Sequence, residues 1–161
     1  MDLLDRLLGY DRFTTERVLA LCRDLPDAEV DRDFDIGNRT IRRTVDHMLA
    51  AMELWTGLMA GERRGRSEPT NASIDEMIAR HAAIHDRFET VIREIAASGR
   101  LDATFTDHYG VPQSYGATIL QVMAWHNVHH RSEILHMLQR LGVPDLPDGD
   151  PQEWEHLTDR V

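Results

Sequence analysis

The sequence predicts an all-α four-helix bundle, and three observations predict it. Four stretches of about 20 residues or more carry apolar residues at three- and four-residue spacing. Glycine or proline follows each of them, where helices end. Nothing between them alternates strongly enough to be more than a short hairpin. At 161 residues the chain is expected to form one domain, residues 1–161, with 143–161 as a tail packed on it.

The first helix runs from Leu3 to about Leu25, with Leu4, Leu7, Leu8, Val18, Leu21 and Cys22 on its stripe, until Pro26 ends it. Asp11, Thr14 and Thr15 break that stripe. A stripe that turns polar in mid-helix lines a cavity or marks a wet part of the bundle. Residues 26–38 read as a loop, and Asn38 or Thr40 caps the second helix, about Arg39 to Ala60. Its stripe is Ile41, Val45, Met48, Met52, Trp55 and Met59, and Gly61 with the basic run Glu62-Arg63-Arg64-Gly65-Arg66 closes it. His47 shares that segment with small and apolar neighbours, the setting of a core or boundary histidine unless other ligands converge on it.

Ser73-Ile74-Asp75-Glu76 is a capping box that starts the third helix, which continues to about Ser98 before Gly99. His81 and His85 form an HxxxH pair there, but Arg80, Asp86 and Arg87 place it at a boundary. Thr104 to Gly110 suggests a short hairpin or extended crossover with His108 exposed. Ser114 then caps the fourth helix, Tyr115 to Leu141, with Ile119, Met123, His126, His130 and Met137 on its inward stripe.

Trp125-His126-Asn127-Val128-His129-His130-Arg131-Ser132-Glu133 is the stretch that carries chemistry. His126 and His130 are one helical turn apart, so both imidazoles face one way and can hold a metal ion given a third ligand from elsewhere. Glu133 lies one turn beyond His130, where a carboxylate orients a ligating imidazole or occupies a coordination position. His129 points about 100° away from His130 and is not expected to share the ion. A di-iron carboxylate site would need paired ExxH motifs on facing helices. Glu133 with His136 supplies one, while Glu153 with His156 falls in the tail.

Composition narrows the function. Eighteen basic residues, all arginine, against 28 acidic ones give a net charge of −10, which repels phosphate backbones and anionic lipid. No apolar run is long enough to span a bilayer, and the acidic start Met1-Asp2-Leu3-Leu4-Asp5-Arg6 lacks a basic leader, so a cytoplasmic protein is expected. The lone Cys22 excludes an internal disulfide framework and a cysteine-only zinc site. The absence of lysine removes Schiff-base catalysis.

His47 on a second helix, followed by His126-x-x-x-His130-Arg131 on a fourth, resembles the DinB/YfiT-like family of bacterial metalloproteins. Phe34-Asp35-Ile36-Gly37, Ile41 through His47, Glu53-Leu54-Trp55 and Leu138-Gln139-Arg140-Leu141-Gly142 are similar too. The resemblance implies a four-helix bundle, commonly a homodimer, with His47, His126 and His130 holding a divalent ion, zinc or nickel. It also implies a metal-dependent transferase, or a hydrolase-like enzyme, in which the ion activates a low-molecular-weight thiol toward an electrophile. Glu133 would then be a base or a support for a ligand. The alternative is a metal-binding stress-response or ligand-sensing bundle without turnover. Where many members have Gly-Gln after His-Arg, this chain has Ser132-Glu133, which places a carboxylate beside the ion.

Overall fold

The computed structural model describes residues 1–63, 65 and 67–158; Arg64 and Arg66 of the basic run lie outside the described residues. Long helices α1 (Leu3–Arg23), α3 (Ile41–Met59) and α4 (Ile74–Ala97) are joined by a fourth rod made of α5 (Tyr115–Leu120), a π-helical segment (Gln121–His126) and α6 (Asn127–Arg140). These four rods form the bundle. Short α2 (Asp27–Val30) lies within the first loop, and α7 (Pro151–Leu157) lies in the tail. No helix among the described residues is long and apolar enough to cross a membrane.

The helix starts follow from their caps. Asp2 and Ser73 each form a reciprocal capping box, with Asp5 and Glu76. Thr40, rather than Asn38, caps α3 by accepting from the Arg43 N–H. Ser114 caps α5 at the end of a hairpin of β1 (Thr104–Thr106) and β2 (Pro112–Ser114), which pair antiparallel with Thr104 opposite Ser114. His108, expected exposed, is half-buried, because its ring packs against Tyr109 at 3.9 Å and faces Trp55 at 6.2 Å.

The core is the meeting of the four stripes, with Leu19, Met48, Leu49, Met52, Phe88, Ile92, Met123 and Ile134 fully buried. Each such side chain contributes about 1.5–3 kcal/mol by leaving water. Cys22 belongs to this core, and burial pushes its thiol up to about 12, so it is inert packing. The tail closes over α1: Trp154 is buried against Gly9, where a Cβ would overlap the indole, while Glu155 and Glu153 pair with Arg6 and Arg17.

The π-helical segment alters the predicted fourth helix. Its wider turn adds about one residue to the repeat and rotates α6 by about 100° relative to an unbroken helix. The buried face thus becomes Val122, Met123, Asn127, His130, Arg131, Ile134, Met137 and Leu138, and of the expected stripe His126 alone is left half-buried.

Candidate metal centre

Three elements bring three imidazoles together. His47 comes from the middle of α3, His126 is the last residue of the π-helical segment, and His130 sits in the first turn of α6. Nε2 of His47 and Nε2 of His126 are 3.3 Å apart. The three ring centroids are separated by 4.5–5.2 Å, and one nitrogen from each ring lies within 4.8 Å of the others. Two nitrogens about 2.0–2.1 Å from one tetrahedral ion would be roughly 3.3 Å apart, so the donor set fits a divalent ion of that size. No other group of three or more donors meets the same spacing among the described residues except His129, His130 and Glu133, which shares a histidine with this one.

Protonation favours the same use. Burial pushes His126 down to about 4, assisted by the neighbouring rings of His130 and His47, so its lone pair is free at neutral pH. His130 Nδ1 is 2.7 Å from Glu133 Oε2. A carboxylate only accepts, so Nδ1 carries the proton and Nε2 is left as the donor atom, the arrangement by which a carboxylate fixes the tautomer of a ligating histidine. The other oxygen of Glu133 is 3.2 Å from Nε2 of exposed His129, whose ring stacks nearly parallel on Trp125. Glu133 can hold this position because residue 37 is glycine: a Cβ there would overlap the carboxylate, and the backbone has φ +43°.

Behind the histidines lies a buried polar cluster. Asp11, Thr15, Asn127 and Arg131 are each at most 2% exposed. Arg131 Nη1 donates to Asp11 Oδ1 at 2.5 Å and to Thr15 Oγ1 at 3.0 Å, and its guanidinium lies 5.1 Å from the Tyr10 ring. Asn127 Nδ2 donates to both Asp11 oxygens, at 3.1 and 3.0 Å, while its Oδ1 is 3.4 Å from His126 Nδ1. Asp11 and Thr15 therefore form part of a buried ion-paired core and not a cavity wall, and Thr14 is likewise buried. A signal was present in the sequence, since an unmatched acid on the α1 stripe calls for a cation on a facing stripe, and Arg131 is the residue next to a predicted ligand.

His81 and His85, expected at a boundary, are instead in this core, at 1% and 0% exposure. His85 Nε2 is 3.9 Å from Asp11 Oδ2. Burial lowers both, His81 to about 4, and keeps them neutral. The neighbouring charges that suggested a boundary turn outward to Asp46, Glu53, Arg12 and Glu62. His81 and His85 do not join the three-histidine cluster.

The sequence model of the DinB superfamily matches residues 11–134, a span that contains all three histidines. A DinB-like protein from Bacillus cereus ATCC 10987, solved by crystallography at 2.01 Å, superimposes with a TM-score of 0.67 at 17% identity, over 86% of this chain and 91% of that one. No curated protein matches the chain.

Proposed function

This chain belongs to the DinB superfamily, and we propose that His47, His126 and His130 hold one divalent ion, zinc or nickel, in a transferase that uses a low-molecular-weight thiol. The observation that carries this reading is the convergence of three imidazoles, with Nδ1 of His130 held by Glu133. Three neutral ligands leave at least one position open, as in catalytic rather than structural sites. When bound, the ion supplies the Lewis acidity that converts a thiol to thiolate near neutral pH.

The protein's own groups would do the rest. The Asp11 and Asn127 contacts fix the ring of His126, and Glu133 fixes that of His130. Glu133 Oε1, 3.2 Å from Nε2 of exposed His129, would take the thiol proton and pass it through that ring to solvent. A cytoplasmic location, where small thiols stay reduced, suits this use. A homodimer is part of the same proposal. Leu120, Trp125 and Val128 form an exposed apolar strip along the fourth rod, and a second copy would cover it. Trp125→Glu should then give a monomer by analytical ultracentrifugation.

One observation favours the second reading, a metal-binding stress or sensing bundle without turnover: Glu133 is already engaged by two histidines and is not a free base. Cobalt substitution separates the two. Addition of a thiol to the cobalt-loaded protein should produce a thiolate-to-cobalt charge-transfer band that His126→Ala abolishes. Cobalt uptake with no thiol response would leave the non-catalytic reading.

A further inference from the structure

Against the outer side of His47 lies a cavity of about 520 Å³, within the size range of small-molecule sites. From α3 it is lined by exposed Arg43, half-buried His47 and Ala50 and buried Asp46, and from the flanking loops by Asn38 and Glu68. The proposed metal centre thus shares a residue with an open, polar chamber. Arg43 precedes His47 by one helical turn, so the two side chains stand on one face about 5–6 Å apart at Cβ.

The charges in this chamber are unevenly committed. Asp46 is occupied, accepting from the Thr70 N–H and hydroxyl and from Arg80 at 2.7 Å. Asp31, the acid that feels the charge of Arg43, is held by Arg42. Most arginines here pair with a carboxylate, but Arg43 has no such partner among the described residues and its side chain is exposed into the cavity. An unpaired guanidinium one turn from a metal ligand is the feature that recognises a carboxylate.

We propose that this cavity is the subsite for a monocarboxylate ligand, with Arg43 binding the carboxylate while the other end of the ligand reaches the ion held by His47, His126 and His130. Glu68, which also lines the cavity, sets the limit: it disfavours a second anionic group and tolerates an ammonium. The proposal rests on the metal reading above and assigns its substrate class.

The test uses two hydroxamates, whose chelating end binds an open-sided ion whatever the native substrate. Succinic acid monohydroxamate carries a carboxylate, and butyrohydroxamate is its neutral counterpart of similar length. Their dissociation constants for the cobalt-loaded protein are measured by titration of the cobalt spectrum, with cobalt content determined in parallel. The carboxylate ligand should bind the wild type about ten-fold or more tightly than the neutral one, as expected for a charge-assisted pair in a part-open site. Arg43→Ala should erase that preference while butyrohydroxamate affinity and cobalt content stay unchanged, and Arg43→Lys should keep part of it. Equal binding of the two ligands by the wild type, or a preference that survives in Arg43→Ala, would overturn the assignment. Failure of the wild type to take up cobalt would overturn the metal reading and the subsite together, and the cobalt content identifies that case directly.

Discussion

Removal of Asp11 tests the buried cluster behind His47, His126 and His130. Asp11 and Arg131 are 0% and 2% exposed and meet at 2.5 Å, so Asp11→Ala leaves a guanidinium in the core with no counter-charge. Breaking one side of such a pair costs about 3–5 kcal/mol. Asn127 Nδ2 also loses both of its acceptor oxygens, adding about 1 kcal/mol. The total, about 4–6 kcal/mol, is a large share of the roughly 5–15 kcal/mol that holds a domain folded. It corresponds to a fall in Tm of about 8–24 °C for a chain of this length. Urea unfolding of the metal-free protein should show the loss as a lower midpoint with an unchanged slope. Arg131→Met should cost a comparable amount, and Asp11→Leu combined with Arg131→Met should be more stable than either single variant, because neither charge is then stranded. Single variants costing under about 1 kcal/mol, as exposed pairs do, or a double variant equal to the sum of the singles, would refute the reasoning.

The remaining predictions concern the ligands' support and the core histidines. Gly37→Ala forces a Cβ against the Glu133 carboxylate and should weaken metal affinity about 10- to 100-fold by releasing His130; competition with a chelating dye reads this, and an unchanged affinity would separate Glu133 from metal binding. Glu133→Gln keeps the shape but makes the acceptor on His130 neutral, so metal affinity should fall by less than in Gly37→Ala, while proton release on thiol binding should slow in stopped-flow traces with a pH indicator. His81 is neutral and buried with its pKa lowered from 6.5 to about 4, so the unfolded chain binds the extra proton: stability should be constant above about pH 6.5 and fall by about 3 kcal/mol as pH drops to 4. His81→Leu in chelator should reduce that slope, leaving the part due to His85 and His126, and a slope identical to wild type would place the titration elsewhere.

The bundle was legible because its signals are local. Ser73 with Glu76, Thr40, Ser114 and the closing glycines set helix ends within a residue or two, and 3.6-residue periodicity set the inward faces. His47, His126 and His130 were legible as a trio only by resemblance, since HxxxH spacing on its own fitted His81 and His85 equally well. What distinguished the pairs was the partner helix: α3 presents a histidine to the fourth rod, whereas α1 presents Asp11 to α4. The pairings that decide the matter, His47 with His126 and Asp11 with Asn127, join residues 79 and 116 positions apart, and no local period encodes them. The π-helical segment was hidden for a related reason. Its extra residue lets both His126 and Asn127 face partners, a compromise that becomes visible only once the partners are in place.

The central claim is that three histidines from three elements hold one ion. Equilibrium dialysis of the tag-free protein against zinc and nickel, followed by elemental analysis beside His47→Ala, His126→Ala, His130→Ala and His81→Ala, tests it most directly. About one ion per chain is expected in the wild type and in His81→Ala, with loss of stoichiometric metal in each of the other three. Retention of the ion by any of those three folded variants, or its loss from His81→Ala alone, would contradict it.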